Sequence, residues 1–369
     1  MSSPTRHPVE MHFDFFVRVV TGSLLTPLRS GNTAWIPAAG PRLFPLPTAL
    51  LEAQQVFWSN TLSKDMIQAY QTRRAKWNEF STRFQRSPHD LSPSNIVDYI
   101  TYLATIGKKG EVPLAYSSIK VYVDFLGRAT SFTCPQAPNP VQHPEVQLFL
   151  RGVARTLGKK VDKAEPCTLD HLRAISQNAI NNLSNLEAQT VALIALIAFW
   201  GCLRLGALIP KRPDKQRQVL TLGDFEVRGT SIIITVRVSK TIQFAERLHL
   251  IEVPAQSDPL LCPLRAFNRW TSLLRPRSSL TTLCALSTTN RTQLSHSRFL
   301  DLINRIVHPS HPLTGHSFRR GYVRLAFIRG IPIWQVMHHG DWKTLEVAMS
   351  YAEDALIPNP LGGLSSLSA

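Results

Sequence analysis

Thirteen consecutive residues, Val191 to Leu203 (VALIALIAFWGCL), carry no charged side chain, and Arg204 follows at once. A bilayer span needs about 20 apolar residues. The run falls short of that, and a helix apolar all round in a soluble chain is one covered on every side. It therefore predicts a fully buried helix at the centre of a globular domain, with further elements as its shell. The arginine that ends it needs a partner, because an unpaired charge beside a core is costly.

The surrounding sequence supplies such a shell. CTLDHLRAISQNAI precedes the run. SIIITVRV (231–238) and LHLIEVP (248–254) are rich in branched residues and read as strands flanking the turn SKTIQFAER, with QVLTLGDFEV as a possible third strand. Helical patterns resume at PLRAFNRWTSLL, SHSRFLDLINRIV, GHSFRRGYVRLAFIRG, PIWQVMHH and TLEVAMSYAED. Upstream, four to five helices are expected between residues 50 and 157. One has Ser63 as its cap and a stripe of Met66, Ile67, Tyr70, Trp77, Phe80 and Phe84; another starts at a serine in SPSNIVDYITYLATIG and stops at Gly107. The expected organisation is an irregular, proline-rich segment at 1–48, a helical DNA-binding domain at 49–157, a basic linker at 158–166 (GKKVDKAEP), a second domain at 167–355, and a flexible tail at 356–369. The expected fold class is mainly α with a small β-sheet, α+β.

Charge narrows the function. Lys and Arg number 41 against 25 Asp and Glu, a formal net charge of +16 in 369 residues. Such a surplus opposes compaction unless an anionic partner absorbs it. Nucleic acid is the commonest such partner and an anionic membrane the alternative; spanning of a membrane does not fit, and no N-terminal secretory signal is read in MSSPTRHPVEMHFDFF. Arg73, Arg74, Lys76, Lys120, Lys159 and Lys160 are the expected phosphate contacts of the first domain and linker. Each alone reads equally as a solvated helix face; their sum favours DNA. The five cysteines are scattered without a CxxC pair, so reduced thiols in an intracellular protein are expected, and no metal site.

Chemistry concentrates near the end of the chain. TGHSFRRG places His316 and Arg319 three residues apart, on one face of a helix. MHHGDW brings Trp342, and AMSYAED brings Tyr351 nine residues later. With Arg204 after the apolar run and Lys240 in the turn VSKTIQ, the order is Arg, Lys, His-x-x-Arg, Trp, Tyr.

That ordered set resembles the tyrosine recombinase, or phage integrase, family. The resemblance covers most of residues 50–355 and is densest over 314–351; Trp342 stands where many relatives carry His. It implies a helical core-binding domain followed by a catalytic domain, double-stranded DNA as partner, a homotetramer assembled on two DNA sites, and no cofactor.

Each residue type also suits the chemistry by itself. Attack of an alcohol on a phosphodiester builds charge on the non-bridging oxygens, and Arg204 and Arg319 suit bidentate bonds to them. Tyr351 is the expected nucleophile, forming a 3′-phosphotyrosine; a phenol of pKa about 10 needs help with its proton. Lys240 suits the acid that protonates the departing 5′ oxygen, His316 a proton-transfer or phosphate-donor role, and Trp342 an indole N–H donor. His339 stands second to Trp342 for that last role.

One departure from the family pattern is Ala207, where an acidic residue often orients the first arginine. It keeps open a catalytically weakened or domesticated DNA-binding relative. A type IB topoisomerase, with a similar site, is a third reading. The expected function is site-specific recombination of DNA, as in integration, excision or transposition of a mobile element. The expected location is the nucleus in a eukaryotic host and otherwise the cytoplasm with DNA.

Overall fold

The computed structural model describes residues 64–107, 112–133, 136–158, 164–211, 219–239, 242, 247–274, 279, 281–285 and 293–352. The segment 1–48, the helix expected at 50–60, Ser63, Cys134, Lys159, Lys160, Lys240 and the tail 356–369 lie outside the described residues. The chain divides into two compact units, Met1–Val161 and Asp162–Ala369.

The described part of the first unit is four helices: α1 (Lys64–Arg83), α2 (Pro93–Ile106), α3 (Tyr116–Thr133) and α4 (Pro144–Leu157). Ser92 caps α2 by accepting from the Asn95 amide, with Pro93 at the first helical position where its missing N–H is harmless. Trp77, Phe80, Ile96, Tyr99, Ile100 and Leu103 form the centre of the core. Trp77 donates its indole N–H to the Pro88 carbonyl at 2.8 Å and meets Tyr99 edge-on at 4.9 Å, so its one polar atom is satisfied inside. The expected stripe is too wide at its ends. Met66 and Phe84 are 40% and 45% exposed, because Met66 sits in the first turn and Phe84 lies just past the end of α1.

The second unit is built round the apolar run. Helix α5 (Leu169–Asn181) is capped by Thr168, and α6 (Leu186–Trp200) by Asn185. Every residue of α6 from Ala188 to Trp200 is buried. A three-stranded antiparallel sheet follows, β1 (Phe225–Arg228), β2 (Ser231–Val236) and β3 (His249–Pro254), in the order β1-β2-β3, with Ile234 opposite both Phe225 and Ile251. Strand β3 alternates cleanly: His249, Ile251 and Val253 point inward, Leu250 and Glu252 outward. Five helices complete the described unit: α7 (Pro263–Leu273), α8 (His296–Val307), α9 (Ser317–Ile328), α10 (Ile333–His339) and α11 (Leu345–Ala352). The fold class is α+β, mainly helical with one small sheet.

Helix α6 is enclosed by α5, α7 and α9. Its two buried polar residues are satisfied within the core: Gln189 donates to the Ala179 carbonyl at 2.6 Å, and Thr190 Oγ1 accepts from the Trp270 indole at 2.9 Å. Helix α9 approaches so closely that a Cβ on Gly321 would collide with the Cys167 carbonyl oxygen and come within 2.8 Å of the Phe199 ring. That contact sets α9, the helix of TGHSFRRG, against α6. The described cysteines, Cys167, Cys202, Cys262 and Cys284, are buried free thiols.

Candidate active site

Two helix ends of the same design face one another. Helix α6 closes in a Schellman turn: the Leu203 amide donates to the Ala198 carbonyl and the Cys202 amide to Phe199, both at 3.0 Å, with Cys202 in the left-handed region at φ 47°. Helix α10 repeats it. The Trp342 amide donates to Met337 at 3.0 Å and the Asp341 amide to His338 at 3.2 Å, with Asp341 at φ 54°. A non-glycine residue in that conformation costs on the order of 1–3 kcal/mol, so packing must hold both turns. The first delivers Arg204 directly after the buried helix. The second delivers Trp342, whose ring folds back over Gly340 so tightly that a Cβ there would collide with it.

Between these turns stands the start of α9. His316 occupies its N-cap position without a capping side-chain bond, so its ring is not spent on the helix end, and Arg319 sits in the first turn. Gly315 brings this segment against the turn after Arg204, where a Cβ would lie 3.3 Å from Leu205 Cβ. Thr314 and Ser317 bond to each other's backbone, the Thr314 amide donating to Ser317 Oγ at 2.9 Å and the Ser317 amide to the Thr314 carbonyl at 3.0 Å.

Arg319 is 3% exposed and donates to the Gly340 carbonyl. Its guanidinium lies 4.0 Å from the centre of the Trp342 ring and 6.0 Å from that of Tyr351. Two buried donors here have no hydrogen-bond partner among the described residues, Arg319 Nε and Trp342 Nε1. The Arg204 side chain makes no hydrogen bond among the described residues. Burial first, and then the charge of Arg319, pull its pKa down, while Tyr351 and Asp341 oppose that. The pocket therefore holds two cations and unmet donors, with Asp341 already engaged by Arg247. An uncompensated buried charge costs about 3–5 kcal/mol, so the site calls for an anion with several acceptor oxygens.

Tyr351, on α11, closes the pocket. Its ring stands 5.3 Å from Trp342, and its hydroxyl is 3.2 Å from His316 Nδ1. Burial, followed by the charges of Lys211, Arg204, Arg319 and Arg320, holds the His316 imidazole below the ordinary histidine range. His316 is thus neutral at neutral pH, and in the tautomer protonated at Nε2 its Nδ1 accepts from the phenol O–H.

The structure brings together Arg204, His316, Arg319, Trp342 and Tyr351; Lys240 lies outside the described residues. His339, the alternative donor to Trp342, is turned away from the phenol: its Nε2 donates to the Trp200 carbonyl at 2.8 Å and its ring stacks on Tyr322. Sequence reasoning missed Gly340, whose carbonyl holds Arg319, and Lys211, whose charge reaches His316. The Gly-x pairs in WGCLR and HGDW were the available signal for the two turns. Ala207 lies in the single 3₁₀ turn after Arg204 and contributes only backbone bonds.

The expected DNA contacts of the first unit differ among themselves. Arg73 lies over the Tyr70 ring at 5.6 Å, and both Arg73 and Arg74 are half-buried. Lys120 pairs with Asp124 at 2.8 Å on the surface. Lys76 is largely covered, bonded to Glu79 at 2.9 Å and placed 5.1 Å from the Tyr102 ring centre. These contacts hold its side chain along its own helix layer.

No family model matches the sequence, and no curated protein is similar to it. Solved structures are similar in fold. A lambda integrase dimer bound to a COC′ core site superposes with a TM-score of 0.52 at 17% identity, over 84% of this chain and 77% of that one. XerH site-specific recombinase bound to palindromic difH substrate, a post-cleavage complex, gives 0.56 at 12% identity, over 96% and 97%. The Tn1549 transposon integrase with circular intermediate DNA gives 0.51 at 14% identity, over 82% and 94%. The chain has the tyrosine recombinase fold.

Proposed function

We propose that this chain cuts and rejoins double-stranded DNA by tyrosine recombinase chemistry, with Tyr351 as the nucleophile. The observation that carries the reading is the pairing of Tyr351 Oη with neutral His316 beside buried donors that lack acceptors. A phosphodiester supplies what the pocket lacks. Arg204 and Arg319 would hold the non-bridging oxygens, with Trp342 Nε1–H as a further donor, and their charge would stabilise both the phenolate and the transition state. His316 would take the phenol proton as Oη attacks phosphorus. The P–O5′ bond breaks, a 3′-phosphotyrosine forms, and the departing 5′ oxygen takes a proton from Lys240. Reversal on a second strand rejoins the DNA. One ester replaces another, so the exchange needs no external energy source.

We further assign residues 49–157 to DNA binding, with Arg73, Arg74, Lys76, Lys120, Lys159 and Lys160 as phosphate contacts, 158–166 to a linker, and 167–355 to catalysis. Net charge supports this reading, as do structures of the same fold whose names record bound DNA. Assembly as a homotetramer on two sites, a role in moving a mobile element, an intracellular location that is nuclear in a eukaryotic host, and a spacing of the last helices that resembles that of Cre recombinase are parts of the same proposal. Among the described residues, no helix is long and apolar enough to cross a membrane.

Ala207 favours a second reading, a weakened or domesticated DNA-binding relative, since Arg204 has no acidic partner from its own turn. A nicked suicide substrate tests both: a covalent protein–DNA adduct supports the enzyme, and DNA binding without adduct supports the relative. Relaxation of a plasmid by the monomer, without exchange between paired sites, identifies a type IB topoisomerase instead.

A further inference from the structure

The two turns that present Arg204 and Trp342 are tied together by one side chain. His339 is the last residue of α10, and Trp200 the last of α6. The carbonyls at a helix C-terminus lack intrahelical donors. The Schellman bonds supply Ala198 and Phe199, and the Trp200 oxygen takes its donor from His339 Nε2–H at 2.8 Å. The His339 ring is fixed from a second side by Tyr322 of α9, stacked at 4.8 Å and 25°. Its backbone is held from a third, where His249 of β3 donates to the His339 carbonyl at 3.2 Å. The next carbonyl along, Gly340, receives Arg319.

We propose that His339 is a positioning residue, its bond to the Trp200 carbonyl setting the separation between Arg204 and the Arg319–Trp342 pair. The inference rests on the strand-cleaving reading of that pocket. Arg204 leaves its helix end only four residues after Trp200, and Trp342 follows His339 by three, so the bond spans the shortest path between the two donor sets. Three atoms that need a common target, on Arg204, Arg319 and Trp342, are thereby referred to one hydrogen bond.

The test separates the hydrogen bond from the ring. His339→Phe keeps an aromatic surface against Tyr322 and removes the donor; His339→Gln keeps a donor at the Nε2 position and removes the ring. On a nicked duplex in single turnover, His339→Phe should slow adduct formation on the order of 100-fold and His339→Gln by no more than about threefold, since an ångström of misplacement has that scale of effect. DNA affinity should match wild type in both. Hydrogen exchange at the Leu203 and Trp342 amides should quicken in His339→Phe and hold in His339→Gln. Wild-type rates in His339→Phe, or equal losses in both variants, would overturn the proposal. If wild type forms no adduct, the strand-cleaving reading fails and exchange decides the tie alone: faster exchange in His339→Phe upholds it, and unchanged exchange refutes it.

Discussion

The hydroxyl of Tyr351 stands 3.2 Å from Nδ1 of His316, a residue held neutral by burial and by four surrounding cations. The pair is a phenol and a base already in contact, in a pocket whose buried donors have no acceptor of their own. The reaction assigned to it follows from that contact more than from any single residue type.

The pH dependence follows with a definite sign. His316 must be unprotonated to accept from Tyr351, and its pKa lies below the ordinary value of about 6.5. The cleavage rate should therefore hold through neutrality and fall only on the acid side, with a midpoint below about 6.5. Single-turnover rates across a pH series would check this; a midpoint above that value would remove His316 as the base.

Acid should also loosen the fold. Burial lowers the pKa of His249 and of His339, so the unfolded chain binds more protons than the folded one as pH falls below about 6.5. Their contribution is full above that pH and is lost as pH falls through the folded pKa values. Thermal melts should show a lower midpoint at acid pH, with a smaller decrease in His339→Gln than in wild type.

Arg204→Ala and Arg319→Ala should each slow cleavage by about 100-fold to 1,000-fold, the scale of losing one transition-state donor. DNA binding should remain, because it is spread over many cations. Adduct formation and gel shift, measured on one substrate, separate the two effects. Retained cleavage in either variant would place that arginine outside the site.

Binding itself should depend steeply on salt. If roughly 6–10 phosphates are contacted, affinity should drop by about 10³–10⁵-fold between 50 and 200 mM salt. A flat response would contradict a DNA clamp.

Gly321→Ala should destabilise the second unit by about 1–3 kcal/mol or more, as overpacking does. The added methyl meets the Cys167 carbonyl and the Phe199 ring, neither of which has room to move. Denaturant unfolding would measure it, and a neutral effect would mean that α9 lies farther from α6.

Periodicity carried most of the fold. The apolar run declared α6, and the alternation in LHLIEVP declared a half-buried strand, because burial acts on individual side chains and leaves its period in the sequence. Arg204, His316, Arg319, Trp342 and Tyr351 were legible as an ordered set. Their mutual geometry was not, since it depends on two left-handed turn residues, Cys202 and Asp341, that lack the glycine usual at that position. The bond of His339 was hidden for a related reason. Its neighbour on the chain is the HGDW turn, but its hydrogen-bond partner, Trp200, is 139 residues away. The cover over Lys76 was not legible either: its pairing with Glu79 lies one turn along the same helix, but its place beside the Tyr102 ring depends on how α1 packs on α2.

The central claim is that Tyr351 attacks the phosphorus held by Arg204 and Arg319. Its most direct measurement is peptide mass mapping of the protein–DNA adduct trapped on a nicked duplex, in wild type and in Tyr351→Phe. That substitution removes one oxygen from a half-buried ring and should leave folding and DNA binding in place. DNA should be linked to Tyr351 in wild type, with no adduct in Tyr351→Phe. An adduct that persists in Tyr351→Phe, or that maps to Tyr322, Tyr116 or any other residue, would contradict it.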